Sequence, residues 1–242
     1  MRISYNNIAY PRWGYSQAMN EVLFFAHIII LVSFVFIALK IGKEALVAIF
    51  CIQVILANLF VLKQMSCFGL TVTCSEVYTI GSIFSMNLLQ VYHGKKIANK
   101  ALFTVFFLLF LVIVMSWFHL RYFPSEYDTA QEAFMVVLGC TPRIMFVSFI
   151  CAFITQKIDM KLFRWISKNL PKASFMIPFI LASFVSQFLD TALFSFGALY
   201  KIVHSMRDII IMSFSIKMII TLCIAPLTLL IKKFIRHDPV QV

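Results

Sequence analysis

The chain has 242 residues, of which 62% are hydrophobic and only 13% charged, with 27 phenylalanines and a formal net charge of +11. Such a balance excludes an ordinary soluble domain and describes a polytopic membrane protein. The positive charge does not imply a nucleic-acid partner, because basic residues gathered in short loops between spans are what cytoplasmic anchoring produces.

Residues 1–20 place Tyr5, Tyr10, Trp13 and Tyr15 among polar groups. They lack the basic-then-apolar order of a cleavable signal and read as an interfacial aromatic lead-in. At about 20 apolar residues per spanning helix, seven spans follow, over 21–39, 45–62, 68–92, 101–120, 134–157, 175–200 and 209–231. The expected fold class is all-α, a polytopic membrane helix bundle. Thr71, Thr73, Ser75, Glu76, Thr79, Asn87 and Gln90 dilute the third span. A helix that polar belongs inside the bundle, away from lipid. The chain ends in a basic tail over 232–242.

Thirteen of the 21 Lys and Arg residues fall in the tail and in the loops after the first, third and fifth spans, Lys40, Lys95, Lys161 and Lys232 among them. Six fall on the other side, whose largest loop is acidic with Glu126, Asp128 and Glu132. This asymmetry predicts an outside N-terminus and a cytoplasmic C-terminus in a bacterial inner membrane. The six cysteines, Cys51, Cys67, Cys74, Cys140, Cys151 and Cys223, form no CxxC pair. In or beside apolar spans they behave as small hydrophobes. No disulfide, metal site or cofactor is implied.

Four charged residues lie inside the spans: Glu76, Arg143, Asp190 and Lys217. Each costs roughly 2.5 to 3.5 kcal/mol near the bilayer centre, so such groups face a polar cavity or one another. Glu76, Thr79, Asn87 and Gln90 recur at helical spacing on the third span, as do Ser183, Gln187 and Asp190 on the sixth and Ser213, Lys217 and Thr221 on the seventh. Asn58 adds an amide from the second span. For Asp190 and Lys217 a structural ion pair and ligand contact are both open readings. For the amides interhelical bonding competes with ligand contact. Arg143 follows Pro142 near a span end, where snorkelling toward water competes with an ion pair or a gate. There is no phosphate-binding GxxxxGKS/T loop, no HExxH and no GxSxG, so neither an ATPase nor another enzyme is expected.

The stretches Leu56 to Gln64, Phe68 to Ser75, Asn87-Leu88-Leu89-Gln90 and Gly94-Lys95-Lys96 resemble the queuosine precursor transporter family, also called the vitamin uptake transporter family. Arg143 with Ser148, Gln156 with Asp159, Ser186 to Thr191, and Phe214 with Lys217 continue the resemblance in the same order. It covers about residues 45–231. This implies a six-helix transporter core, with the span at 21–39 as an extra N-terminal transmembrane helix. Many members carry an acidic residue where Asn87 stands.

The resemblance implies import of a 7-deazaguanine base, namely the cyano or aminomethyl precursor or queuine, for salvage into the queuosine of transfer RNA. A guanine-like edge offers a ring N–H beside an exocyclic amine, which one carboxylate accepts in a bidentate way. Asp190 is the first choice for that carboxylate and Glu76 the second. Gln187 and Asn87 would address the carbonyl and ring nitrogens, with Gln90, Asn58 and Lys217 completing the site. Tyr78, Phe84, Phe188 and Phe194 are candidates to stack on the ring. The six core helices divide into two sets of three that would enter the membrane in opposite directions. An alternative is a substrate-capture subunit for another heterocyclic nutrient, working with a separate energising ATPase as partner.

Overall fold

The computed structural model describes residues 17–170 and 176–235, with side chains as far as Leu222. The aromatic lead-in before Gln17, Lys172 and the tail beyond Ile235 lie outside the described residues.

Six helices and one hairpin follow in order: α1 (Gln17–Ile41), α2 (Lys43–Phe60), β1 (Gln64–Cys67), β2 (Leu70–Thr73), α3 (Glu76–His119), α4 (Gln131–Asn169), α5 (Met176–Phe194) and α6 (Met206–Ile235). A π-turn, Ser195–Leu199, continues α5. Five of the described helices are long and apolar enough to cross a membrane. The third and fourth predicted spans are joined in α3, whose 44 residues would extend about 66 Å if straight. That is twice a bilayer core of roughly 30 Å. The helix breaks at Gly94, with φ 81° and ψ 165°, a conformation that glycine alone adopts cheaply.

The sequence reading places the third span too early. Residues 68–75 are strand and turn, and helix starts only at Glu76. Gln64 pairs with Thr73 and Cys67 with Leu70 across an antiparallel hairpin. Phe68 and Gly69 both take positive φ, 54° and 75°, as a tight two-residue hairpin turn requires. The β-branched Thr71, Val72 and Thr73 suit a strand better than a helix. The fifth predicted span also ends too soon. Lys157, Lys161, Arg164 and Lys168 belong to α4, which runs on to Asn169, because Lys and Arg are good helix formers.

The hairpin sits at one end of the bundle, fastened by four hydrogen bonds to α1, α6 and the turn before α6. Asn20 donates to Ser66 O and Phe68 N donates to Glu21, both on α1. Thr71 N donates to Asp208 on α6, and His204 N, just before α6, donates to Gln64. Backbone polar groups away from the helices thereby find partners, as membrane depth demands. Below it, Leu46, Phe50 and Cys51 of α2 pack with Leu88, Leu89, Ala98, Ala101 and Val105 of α3. The ring contact of Phe106 with Phe149, and of His119 with Phe134, sets the second half of α3 antiparallel to α4. The lipid-like outer surface is apolar, with Ile29, Phe103 and Phe107 about two-thirds exposed or more.

Candidate functional site

Strand β2 delivers Glu76 to the first turn of α3, where the helix dipole favours a carboxylate. The carboxylate is buried, 4% exposed. Its Oε1 accepts a long bond of 3.5 Å from Thr73 Oγ1, whose hydroxyl also pairs with Ser75 at 2.7 Å. Its Oε2 is buried and makes no hydrogen bond within 3.5 Å, while the Ser213 hydroxyl and the Lys217 ammonium act on the carboxylate from α6. An ionised oxygen left without a partner is costly.

Glu76 faces a cavity of about 50 Å³ that is walled by Thr79, Thr191, Phe194, Ser213 and Lys217 among others. That volume holds water on the order of one or two molecules. Ligand pockets usually run to roughly 300 Å³ or more, so the cavity as it stands is too small for a bicyclic base.

Lys217 forms the partition between this cavity and a second polar layer. Its Nζ donates to Asp190 Oδ2 at 2.7 Å and to Thr191 Oγ1 at 3.2 Å. The lysine side chain is 10% exposed and that of Asp190 27%. Asp190 Oδ1 accepts only a 3.4 Å bond from Thr155, leaving it the freer of the two oxygens. One turn further along, Ser186 donates to Asp159 at 2.8 Å. The two bonds arise because α4 and α5 run antiparallel, pairing Thr155 with Asp190 and Asp159 with Ser186 four residues apart on each helix.

Arg143 is exposed and makes no ion pair among the described residues. Its Nε donates to Gly197 O at 3.0 Å and its second terminal nitrogen to Tyr200 O at 3.3 Å. It therefore secures the π-turn, whose Ser195 and Leu199 line the cavity. A π-turn leaves carbonyls without their usual helical donors, and a planar guanidinium can satisfy two of them.

The remaining predicted residues divide. Asn58 is buried near the cavity end of α2, bonded to Val54 O with Oδ1 unpartnered. Gln187 lies one turn from Asp190 and is half-buried. Asn87 and Gln90 are not in the cavity wall, since 11 residues of helix put Asn87 about 16 Å beyond Glu76. Asn87 turns its amide back to Ile83 O, and Gln90 is exposed. Of the stacking candidates, Phe194 lines the cavity. Tyr78 packs on His27 and Phe60, Phe84 on Phe36, and Phe188 on Phe214.

Sequence reasoning passed over Thr155, and it placed Ser213 on a polar face and Asp159 and Thr191 within the family resemblance without assigning them to the site. The four-residue steps from Thr155 to Asp159 and from Ser213 to Lys217 were the available signal. It also passed over Gln53, fully buried in α2, which accepts from Ser85 and leaves Nε2 unpartnered. Among the described residues no group of three His, Cys, Asp or Glu is placed to hold a metal ion.

A family model described as "Putative vitamin uptake transporter" matches residues 73–231. The sequence is also 26% identical, over 200 residues, to a protein of Bacillus subtilis (strain 168) named "Probable queuosine precursor transporter". That alignment covers 81% of this chain and 87% of the relative. No solved structure matches.

Proposed function

The chain belongs to the vitamin uptake transporter family, and from that premise we propose that it imports 7-deazaguanine bases, the precursors of queuosine, across the bacterial inner membrane. It is a multi-pass membrane transporter and not an enzyme. The cargo class is supported by the name of the Bacillus subtilis relative and by the chemistry of the closed site. One observation carries the reading: Lys217 of α6, paired with Asp190 of α5, and Glu76 of α3 line one small polar cavity with an aromatic wall.

In this reading Asp190 accepts the ring N–H and exocyclic amine of the base, its charge balanced by Lys217. Glu76 and Gln187 address the other polar edge, and Phe194 stacks on the ring. A wrong ligand leaves these buried groups unpaired, which makes such a site selective without covalent chemistry. Admission of a bicyclic base requires the π-turn, the hairpin or both to move, because the closed cavity is of water size.

The transporter core is taken as six helices, with α3 counted as two about Gly94 and α1 added at the N-terminus. Lys40, Lys43, Lys95, Lys96 and Lys100 gather at the end opposite the hairpin, which supports a cytoplasmic placement of that end and of the C-terminus.

The test is the queuosine content of transfer RNA in bacteria that lack both precursor synthesis and their own transporter. The cyano base, the aminomethyl base and queuine are each supplied at low concentration to cells expressing this chain or Asp190→Asn. Restoration by the unmodified chain alone supports import and identifies the cargo. Restoration by neither, with the protein inserted in the membrane, refutes it.

A further inference from the structure

We infer that Glu76 is the proton-binding group of the carrier and that one proton travels inward with each base. The inference rests on the base-import reading and assigns it an energy source.

The site holds two carboxylates near one cation. Lys217 is committed to Asp190 and Thr191, so Glu76 is left in the closed cavity with Oε2 unpartnered. Among the described residues no other positive group is placed to reach it from the elements around it. On the hairpin side Thr73 and Ser75, and from α6 Ser213, offer hydroxyls alone. Asp208 of α6 is engaged by Thr71 N, and Glu21 of α1 by Phe68 N. His27 of α1 packs edge-on against Tyr78. Arg143 of α4 is spent on Gly197 and Tyr200, and Asp159 on Ser186. Lys63, after α2, is exposed, and Asn58 of α2 is uncharged. A bare carboxylate closed off from bulk water in that setting is expensive, and a proton removes the expense.

Protonation also couples the proton to the cargo. A carboxylic acid O–H at Oε2 is a donor where a carboxylate is only an acceptor. It can then donate to the carbonyl of a guanine-like base whose N–H edge is held by Asp190. The base binds the protonated site better, and by reciprocity the bound base holds the proton better. The proton moves from outside water to Glu76 Oε2 while the site is open outward. It leaves to cytoplasmic water once the site opens inward and the base departs. The carboxylate left behind then shares Lys217 with Asp190 in a hydrated site. The sign is fixed by this scheme: affinity for the base falls as pH rises through the range where Glu76 ionises.

The test uses the full chain in proteoliposomes with a pH dye inside and 7-cyano-7-deazaguanine as probe, a base without a charge of its own to confuse the readout. Expected is acidification of the lumen when the base is added, and several-fold accumulation above the external concentration when the outside is acid. Glu76→Gln should give neither. Accumulation by the unmodified chain without acidification overturns the proposal, as does acidification by Glu76→Gln equal to that of the unmodified chain. If no base enters under any gradient, the import reading fails. The proton site is then decided by infrared difference spectra of the purified protein. A C=O stretch of a protonated carboxylic acid that titrates and is missing in Glu76→Gln sustains it, and the lack of such a band refutes it.

Discussion

Lys217 Nζ lies 2.7 Å from Asp190 Oδ2, tying α6 to α5 in the polar interior of an otherwise apolar bundle. Removing one member of a buried pair strands the other charge and costs about 3 to 5 kcal/mol. Asp190 is 27% exposed, so the lower end applies. Asp190→Asn and Lys217→Met should each destabilise the protein by about 3 kcal/mol, read as a lowered melting temperature in detergent. The double variant should recover most of that loss, because no unpaired charge remains. Transport should stay absent in all three. Recovery of transport by the double variant would reduce the pair to a structural role.

Arg143 makes a second, separable prediction. Arg143→Met removes two charge-assisted bonds from the carbonyls of Gly197 and Tyr200, and because these bonds are exposed, water replaces part of them and the loss is about 0.5 to 1.5 kcal/mol. Amide exchange over residues 195–203 should quicken while that of α2 is unchanged. Lysine cannot reproduce the fork geometry, so Arg143→Lys should restore only part of the protection.

Gly94 separates two spans that would otherwise form one helix. At φ 81° and ψ 165° an alanine is strained by roughly 1 to 3 kcal/mol. Gly94→Ala should lower the melting temperature, whereas alanine at the neighbouring exposed Lys95, which has no such constraint, should leave it nearly unchanged.

Much of this architecture was legible in the sequence, and the misreadings have identifiable causes. Long apolar runs marked the helices because lipid leaves the backbone few other choices. The pairing of Asp190 with Lys217 was weighed because opposite charges on separate spans seek each other. Residues 68–75 were read as helix because hydropathy does not distinguish a buried hairpin from a polar span, and the turn at Phe68-Gly69 shows only in the backbone. The basic stretch after Gln156 looked like a loop by charge, but helix propensity carried α4 through it. Asn87 and Gln90 share a helical face with Glu76, but a face is not a depth, and the cavity takes only its first turn. Thr155 and Gln53 depend on which helices become neighbours, which no single-span pattern encodes.

Sidedness can be tested with cysteines. The exposed loop between α3 and α4 lies at the hairpin end, since His119 and Phe134 pack together there and α3 runs toward that end from Gly94. If that end faces outward, Ser125→Cys should react with a membrane-impermeant maleimide in intact cells. Lys95→Cys should react only after permeabilisation. Cys51, Cys67, Cys74, Cys140 and Cys151 are buried or half-buried, so their background labelling should be low. The reverse labelling pattern would invert the topology.

The π-turn wall of the cavity leans on α4 at one further point. A Cβ built on Gly197 would lie 2.7 Å from Val147 Cγ1, closer than side chains pack. Overpacking of this kind costs about 1 to 3 kcal/mol. Gly197→Ala should therefore destabilise the protein and push Ser195 and Leu199, which line the cavity, out of place. Val147→Ala removes the opposing methyl and should relieve the second effect when combined with it. The double variant should thus show a positive interaction in a stability cycle and regain base uptake relative to Gly197→Ala. Strict additivity would mean that the π-turn moves away from α4 without strain, and that the close approach of the two elements has no part in shaping the site.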